Sequence, residues 1–448
     1  MRATFLGHAS WLFEAGPLRI LSDPLVFSRH AGGVLSVTPE RTLDVAALRP
    51  DFILVTHAHF DHFDIDSLDA LARFDRDSGI LTPDELVASC CETLGFRSVR
   101  VVPAGQRIEL AGGVKLITTP SRAPDVEWGF IVSDGSAAAW NMVDSCFESA
   151  REVRQIVREA GLALDVCIAP LQPMREVAMA MSEHTGFDPS GYHHLFECAR
   201  AAGAKSVIPG ASGESFNPPF DGMNRIVYPV SRERAARDYA AFAPESSVIL
   251  PALFEVLAIA DREVVRDRAA PAPGVLLAER EQQPFRPWDV PPLHDPNLDC
   301  RPSEELVETI EAWLHGALEP ALANHVGLLG GLSLMLEVVL EDGVVHFTCR
   351  VPGPFERRCD PGCDELVAIA GSLLADVLEA RRSWAEPLLG GFLRATGRTV
   401  RVSEGVMRFP PIPPIFLYFA LDFRASVEAT AREQARDKAS LPDVHSLV

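Results

Sequence analysis

The strongest constraint on this chain is a cluster of four metal-ligating residues within six positions. Residues 52–56 are apolar and β-branched, which predicts a β-strand, and His57, His59, Asp61 and His62 follow directly. Side chains alternate along an extended backbone, so His57 and His59 share a face, and the next turn can bring Asp61 and His62 onto a second metal ion. Imidazole and carboxylate together suit zinc, iron or manganese. The spacing therefore predicts a dinuclear metal site.

The first 262 residues have the pattern of an α/β domain. Short β-rich segments alternate with Gly, Pro and Asp, and helical periodicity marks residues 149–160 and 191–203. The early strands are close together in sequence, as in an antiparallel meander that feeds a sandwich. They are predicted at residues 3–5, 10–14, 19–22 and 52–56.

A second domain is expected, because 448 residues exceed what one hydrophobic core usually supports. Residues 271–302 contain eight prolines, which disfavour helix interiors and central strands. We therefore expect an extended linker over residues 263–302 and an α+β accessory domain over residues 303–448. Within that domain the pattern predicts a helix from Ser303, its N-cap, to His315, strands near residues 333–350, and a helix over residues 364–381.

The charge of the chain excludes some classes of partner. A formal net charge of -21 gives no electrostatic support for binding nucleic acid or an anionic membrane surface. The N-terminus does not resemble a signal peptide, and no run of about 18 apolar residues exists, so we expect a cytoplasmic protein. Nine scattered cysteines favour reduced thiols over a disulfide framework. The sequence does not define the oligomeric state.

An intensely apolar, proline-broken segment lies near the C-terminus, Phe409-Pro-Pro-Ile-Pro-Pro-Ile-Phe-Leu-Tyr-Phe. Its prolines are incompatible with a membrane helix. The segment fits core or linker packing, or the lining of a hydrophobic substrate tunnel or a dimer surface.

The metal-ligand cluster and three further motifs resemble the metallo-β-lactamase superfamily. The similarity covers roughly residues 1–255, and it is strongest to the branch of N-acylphosphatidylethanolamine phospholipase D-like and sugar-nucleotide hydroxylase-like proteins. The further motifs are Phe5-Leu-Gly-His-Ala-Ser-Trp-Leu, Ile20-Leu-Ser-Asp-Pro-Leu and Trp140-Asn-Met-Val-Asp-Ser. The resemblance implies an αββα sandwich with a smaller C-terminal α+β domain. It also implies that Asp23 supports the site from behind the ligands, that Asp144 bridges two metals, and that Asp61 and Asp144 are the catalytic carboxylates.

The sequence departs from the pattern of the superfamily's hydrolases at two positions. A further histidine is expected before the Trp-Gly strand, but the segment reads Thr119-Pro-Ser-Arg-Ala-Pro-Asp-Val-Glu-Trp-Gly, which leaves Asp125 or Glu127 as substitutes. The last family histidine is missing after Val207-Ile-Pro, which leaves His184 or Glu214. Glu127 and His184 complete the predicted ligand set. His193 and His194 fall on a predicted helix and are left out of it.

Exchanging imidazoles for carboxylates shifts a site from zinc toward iron. The resemblance therefore implies a dinuclear iron monooxygenase that uses O2, and the apolar C-terminal domain suggests that its substrate is a hydrophobic small molecule of secondary metabolism, linked to a carrier protein or CoA. The sugar-nucleotide hydroxylase branch adds a Rieske cluster bound by Cys-x-His and Cys-x-x-His, and this chain has neither pair, so an external reductase is expected as electron donor. The alternative is a zinc or manganese hydrolase of a phosphodiester, lactone or amide, with metal-activated water as nucleophile. A non-catalytic scaffold is a third class, disfavoured by the retained ligand motif.

Overall fold

The computed structural model describes residues 1–175, 177–180, 185–280, 283–397, 401–408 and 423–441. The first 280 residues contain twenty strands among those described. In chain order they are β1 (Arg2–Gly7), β2 (Ser10–Ala15), β3 (Leu18–Ser22), β4 (Arg29–His30), β5 (Leu35–Val37), β6 (Glu40–Leu43), β7 (Phe52–Leu54), β8 (Gly79–Thr82), β9 (Val99–Val101), β10 (Arg107–Glu109), β11 (Lys115–Pro120), β12 (Trp128–Ser133), β13 (Ala138–Asn141), β14 (Val166–Ala169), β15 (Ser206–Pro209), β16 (Glu214–Phe216), β17 (Ser247–Val248), β18 (Val256–Ala260), β19 (Glu263–Asp267) and β20 (Gly274–Ala278).

Two large sheets face each other in this part of the chain. The first has the order β19-β18-β1-β2-β3-β7-β8-β9 and the second the order β10-β11-β12-β13-β14-β15-β17. The meander predicted for the first strands is confirmed, since β1, β2 and β3 pair antiparallel, while β7 joins β3 in parallel. Aromatic side chains fill the space between the sheets, where the Phe13 and Phe130 rings meet edge to face at 5.8 Å.

Helices cover the outer face of each sheet. The six helices of this part are α1 (Val45–Leu48), α2 (Ile65–Phe74), α3 (Glu85–Thr93), α4 (Ala150–Ala160), α5 (Pro189–Ala201) and α6 (Arg232–Phe242). Leu68 and Val87 bury the inner sides of α2 and α3 against the first sheet, and Val153, Phe196 and Tyr239 do the same for α4, α5 and α6 on the second. The layers are therefore α, β, β, α, as the resemblance implied.

Residues 263–302, the expected linker, also contain two strands. Residues 263–267 form β19, which pairs with β18, and residues 274–278 form β20, which pairs with β6. Both strands thus belong to the N-terminal sheets, because neither contains a proline, and Pro271 and Pro273 lie between them. Residues 283–302 contain neither helix nor strand.

A five-stranded sheet with helices forms most of the C-terminal part. Its strand order is β23-β22-β21-β24-β25, with elements numbered on from those above: α7 (Ser303–Trp313), α8 (Glu319–Asn324), α9 (Val326–Leu329), β21 (Ser333–Leu340), β22 (Gly343–Arg350), β23 (Glu356–Arg357), β24 (Glu365–Ala370), α10 (Gly371–Leu378), α11 (Ala385–Leu389), β25 (Leu393–Gly397), β26 (Arg401–Ser403), β27 (Val406–Arg408) and α12 (Phe423–Ser440). One turn of π-helix, Leu314–Leu318, joins α7 to α8.

Two local predictions for this region are wrong. The helix expected over residues 364–381 is a strand followed by a helix, because residues 365–370 pair with β21 on one side and β25 on the other. Pairing between two strands overrides the helical periodicity of a short apolar segment. Ser303 does not cap α7: Pro302 is the N-cap residue, and the Ser303 hydroxyl donates to Asp342 across 2.5 Å.

The last helix connects the two parts of the chain. Ala431 and Ala435 of α12 pack against α2 and α3, while Val427 packs against the C-terminal core. Arg432 donates a hydrogen bond to Ser89 in α3 and Lys438 pairs with Asp66 in α2. The apolar segment at residues 409–419 lies outside the described residues. No disulfide bond joins any of the nine cysteines, all of which lie in the described part of the chain. None of the helices in the described part of the chain combines the length and apolarity needed to cross a bilayer.

Candidate metal centre

A tight strand-to-helix turn carries the four clustered ligands. β7 ends at Leu54, and the amides of His62 and Phe63 both donate to the carbonyl of His59, at 3.0 and 2.7 Å. Asp64 then begins α2 as its N-cap by accepting a hydrogen bond from the Ser67 amide at 2.9 Å. The short turn between these fixed ends forces the ligand side chains toward one point.

Six side chains converge there in two adjoining groups. Within each group, one potential ligand atom from every residue lies within 4.8 Å of the others; the groups are His57, His59, Asp144 and His8, Asp61, His62. The carboxylate of Asp144 connects them, because its Oδ2 lies 3.1 Å from Nε2 of His62 and 3.8 Å from Nε2 of His57. This is the placement that a bridging carboxylate requires.

His8 is the member of this centre that sequence reasoning missed. Its Nε2 lies 3.0 Å from Oδ2 of Asp61, and the side chain is fully buried. Because β1 and β2 form a hairpin, the Gly7-His8 turn falls at the edge of the sheet where β7 ends. The signal was present in the Phe5-Leu-Gly-His motif, where a histidine occupies a hairpin turn within an otherwise apolar run.

Three residues of the centre have unusual backbone angles. His8, Asp23 and Val143 have φ values of 49°, 42° and 54°. Positive φ is uncommon outside glycine and is an outlier for a β-branched residue such as valine. Such strain concentrates at functional sites, where the surrounding structure enforces it. Here it aims His8 and Asp144, the residue after Val143, into the centre.

The donor atoms fit a metal ion. Nε2 of His57 is buried and has no hydrogen-bond partner among the residues described, while its Nδ1 is 3.0 Å from the hydroxyl of Thr56. Asp23 accepts hydrogen bonds from both the amide and the hydroxyl of Thr56, at 2.8 and 3.0 Å, and its Oδ2 is 3.1 Å from Nδ1 of His62. Asp23 therefore orients the ligands from behind, as the resemblance implied. An orphaned imidazole nitrogen held in this way is typical of a metal ligand.

The electrostatics of the centre favour a bound cation. Burial alone would lower the pKa of His62, but the carboxylates of Asp61, Asp144 and Asp23 raise it well above its usual range. Burial alone would raise the pKa of Asp61, but His62 and His8 hold it well below its usual range. Burial lowers the pKa of His57, with the neighbouring imidazoles of His62 and His59 adding to the effect. The carboxylates thus favour positive charge in this buried space. A bound metal cation would supply that charge, and the imidazoles would not have to be protonated.

The two substitutes considered for the first missing histidine lie beside the centre. Asp125 approaches His59, with Oδ2 3.2 Å from Nε2, and both side chains are about half exposed. Glu127 accepts a hydrogen bond from the hydroxyl of Ser121, and burial together with the charge of Asp144 raises its pKa. Neither belongs to the two groups of converging atoms. The assignment of Glu127 as a ligand therefore stays a prediction.

Glu214 lies on the opposite side of the centre. Its Oε1 is 2.6 Å from Nε2 of His30 and 3.8 Å from Nε2 of His8. Burial raises the pKa of Glu214 to about 7. The other substitute considered for this position, His184, lies outside the described residues. His193 lies 3.6 Å from Glu197 on α5, and Nε2 of His194 lies 2.8 Å from the carbonyl oxygen of Phe147.

Residues 2–144 match the Beta-lactamase superfamily domain. This range is about a third of the chain, and over it the chain is similar to the metallo-β-lactamase superfamily. The matched range ends at Asp144, so it contains all six converging residues of the centre. Glu214 and His184 lie beyond it.

Proteins with similar sequences carry different names. A protein of Mycobacterium tuberculosis named as a Rieske 2Fe-2S iron-sulfur protein is 30% identical over 156 residues, which cover 32% of this chain and 30% of that protein. A metal-dependent hydrolase of Pyrobaculum islandicum is 27% identical over 195 residues, covering 40% of this chain and 78% of the hydrolase. The chain thus spans less than a third of the first of these relatives.

Among solved structures, CmlA, a diiron β-hydroxylase from Streptomyces venezuelae, aligns with a TM-score of 0.41 and 17% identity over 58% of this chain and 54% of that one.

Proposed function

We propose that the chain is a metal-dependent enzyme that binds a pair of metal ions at its converging histidines and aspartates. The proposed ligands are His57, His59 and Asp144 for one metal and His8, Asp61, His62 and Asp144 for the other. The observation that carries this proposal is the position of Asp144 Oδ2 between Nε2 of His57 and Nε2 of His62. A carboxylate so placed bridges two ions of the same centre.

The pair is proposed to be iron, and the enzyme a monooxygenase of a hydrophobic small molecule. Two additional carboxylates, Glu127 and Glu214, flank the centre where the resemblance to superfamily hydrolases implies histidines. Oxygen-rich ligand sets favour iron over zinc. A bound iron pair would supply the redox chemistry needed to activate O2.

The surrounding residues are proposed to position the substrate and control access. His59 and Asp125 lie at the exposed rim, where a substrate enters. Phe60, between two of the ligands, packs against an apolar cluster that includes Met174, Met179 and Phe220. The apolar part of a substrate can pack against this cluster beside the metals, and the cluster excludes water from that position.

An external reductase is proposed as the electron source. The sequence contains neither of the Cys and His pairs that bind a Rieske cluster. The relative from Mycobacterium tuberculosis is named as a Rieske iron-sulfur protein, so a region similar to this chain occurs in a protein with that name. A separate carrier would deliver electrons to this chain.

A metallohydrolase is the second candidate. The supporting observation is the likeness to a metal-dependent hydrolase over 78% of that protein's length. Zinc or manganese at the same residues would lower the pKa of a bound water to about 7 and provide a nucleophile.

Metal analysis combined with oxygen uptake tests the proposal. We expect protein from iron-supplemented cells to hold close to two irons per chain and to consume O2 when a chemical reductant is added. His57→Ala should lose both properties, whereas His193→Ala, an exposed histidine, should retain them. Stoichiometric zinc with hydrolysis of bis(p-nitrophenyl) phosphate and no oxygen uptake would instead establish the hydrolase. Wild-type protein that retains no metal would overturn both candidates.

Glu127→His tests the choice between the two chemistries. If Glu127 is an iron ligand, histidine at this position should raise the preference for zinc and lower oxygen uptake, because a neutral imidazole replaces an anionic carboxylate. Unchanged metal preference would remove Glu127 from the ligand set and leave the six converging residues as proposed.

A further inference from the structure

A cavity of about 940 Å³ lies beside the metal centre, on the far side of Glu214. Its walls come from β16, the start of α6 and the loop before β18, and they combine apolar side chains with polar and charged ones, including the carboxylates of Glu214 and Glu279. Phe5, Phe216, Leu253 and Phe254 line it together with Glu214. A volume of this size holds a whole small metabolite.

Arg232, the first residue of α6, is half-buried and places a guanidinium group in the wall of this cavity. Its guanidinium carbon lies 4.5 Å from the centre of the Phe5 ring, and Nη1 donates a 3.4 Å hydrogen bond to the carbonyl of Pro251. Nε and Nη2 are buried and have no hydrogen-bond partner within the described ranges of the chain. Burial lowers the pKa of Arg232 to about 10, which still leaves it protonated at neutral pH.

The other arginines that line the cavity are neutralised. Arg268 donates to Glu255 at 3.2 Å, and Arg280 pairs with Glu40. The charge of neighbouring Glu233 acts on Arg232, but no carboxylate among the described residues accepts a hydrogen bond from its Nε or Nη2. A buried charge without a partner costs several kcal/mol, so proteins rarely keep one unless a ligand completes it.

A second polar group in the same wall lacks a partner. The amide nitrogen of Gln172 donates to the carbonyl of Val230 at 2.9 Å, but its Oε1 is buried and has no hydrogen-bond partner in the part of the chain described. The cavity therefore combines apolar side chains with two polar groups that still lack hydrogen-bond partners. These are the guanidinium of Arg232 and the amide oxygen of Gln172.

We propose that this cavity binds a small organic anion, with its carboxylate or phosphate group at Arg232 and its apolar body against Phe5, Phe216 and Leu253. The guanidinium geometry suits either oxyanion. The net charge of -21 disfavours anions over the surface as a whole, so binding of an anion here depends on the local guanidinium of Arg232. The site shares Glu214 with the edge of the metal centre, but none of the six converging residues lines it, and it does not depend on the proposed chemistry.

Calorimetric titration of the full chain tests this proposal with octanoate and phenyl phosphate as probes. We expect both to bind, and octan-1-ol and phenol, which lack the anionic group, to bind at least tenfold more weakly. Arg232→Met should weaken the binding of both anions at least tenfold. Arg234→Met is the matched control, because it removes the same charge from an exposed position two residues along α6 and should leave binding unchanged.

Two further measurements distinguish binding in this cavity from binding at the metal centre. Binding should persist after the metals are removed by a chelator; anion binding that disappears with the metals would overturn the proposal. Leu276→Glu adds a carboxylate at a half-exposed position of the wall, so it should fold normally and also weaken anion binding. Equal affinity of wild type, Arg232→Met and Leu276→Glu would overturn the proposal as well.

Discussion

Nε2 of His8 lies 3.0 Å from Oδ2 of Asp61, although 53 residues separate them in the chain. The first hairpin turn therefore contributes directly to the loop that follows β7. Through this contact His8 becomes the sixth member of the centre. It adds an imidazole from outside the clustered motif to the group of Asp61 and His62.

His8→Ala should reduce the metal content from about two ions per chain to about one. The second group would keep only Asp61 and His62 of its own, whereas His57, His59 and Asp144 remain together. Elemental analysis after dialysis measures this change. His193→Ala, on the exposed side of α5, is the control and should retain two ions. Two tightly bound ions in His8→Ala would remove His8 from the ligand set.

Asp23→Asn should weaken metal binding by about 10–100-fold while leaving the chain folded. The carboxylate holds Thr56 through two hydrogen bonds and lies 3.1 Å from His62, so it orients ligands on both sides of the centre. Competition with a chromogenic chelator measures the affinity. Asp77→Asn, at an exposed ion pair with Arg97, should bind metal as the wild type does. Equal affinity in both variants would contradict an orienting role for Asp23.

Glu255→Gln should destabilise the protein by roughly 1–3 kcal/mol at neutral pH. The buried Glu255 carboxylate accepts hydrogen bonds from Arg266 at 2.6 and 2.7 Å and from the Ala252 amide at 2.8 Å. The hydrogen bonds from Arg266 hold its pKa at about 2.

The sign of the pH effect follows from this low pKa. The ionised Glu255 stabilises the folded state above its ordinary pKa near 4.5, and the contribution is lost as the pH falls toward 2. Urea unfolding of wild type and Glu255→Gln should therefore differ most at pH 6–7 and converge at acid pH. Glu305→Gln removes the charge of an exposed carboxylate that pairs with Arg301, and it should change the free energy of unfolding little. A difference that stays constant with pH would show that the charge of Glu255 is not its source.

Glu365→Gln should stabilise the protein at alkaline pH. Glu365 is fully buried at the start of β24, and neither of its carboxylate oxygens has a hydrogen-bond partner among the residues described. Burial raises its pKa to about 8. The folded state therefore prefers the protonated acid, and wild-type stability should fall as the pH rises from about 4.5 to about 8.

Glutamine has the shape of the protonated acid and no charge. We expect the two proteins to be equally stable at pH 5 and Glu365→Gln to be more stable at pH 9, by at most about 5 kcal/mol. Glu337→Gln, at a partly exposed residue of β21 next to His346, should show no such gain. Chemical unfolding at both pH values measures the effect, and parallel pH profiles for wild type and Glu365→Gln would refute it.

The sequence by itself determined the features that depend on neighbouring residues. The alternation of residues 1–22 defined an antiparallel meander, and the spacing of His57, His59, Asp61 and His62 defined a metal-ligand turn, because these patterns act within one or two elements. Similarity of the Trp140-Asn-Met-Val-Asp-Ser segment to a known family added Asp144, which local pattern alone would have assigned to an ordinary turn.

Only the tertiary structure decided which distant residues meet. His8 joins Asp61, and Glu214 joins His30 across 184 residues, because the order and register of strands in two sheets bring their ends to the same edge. Residues 365–370 are a strand because β21 and β25 offer partners on both sides, although their apolar spacing also suits a helix. The free energy of these arrangements comes from pairing and burial between segments far apart in the chain, which no local pattern records.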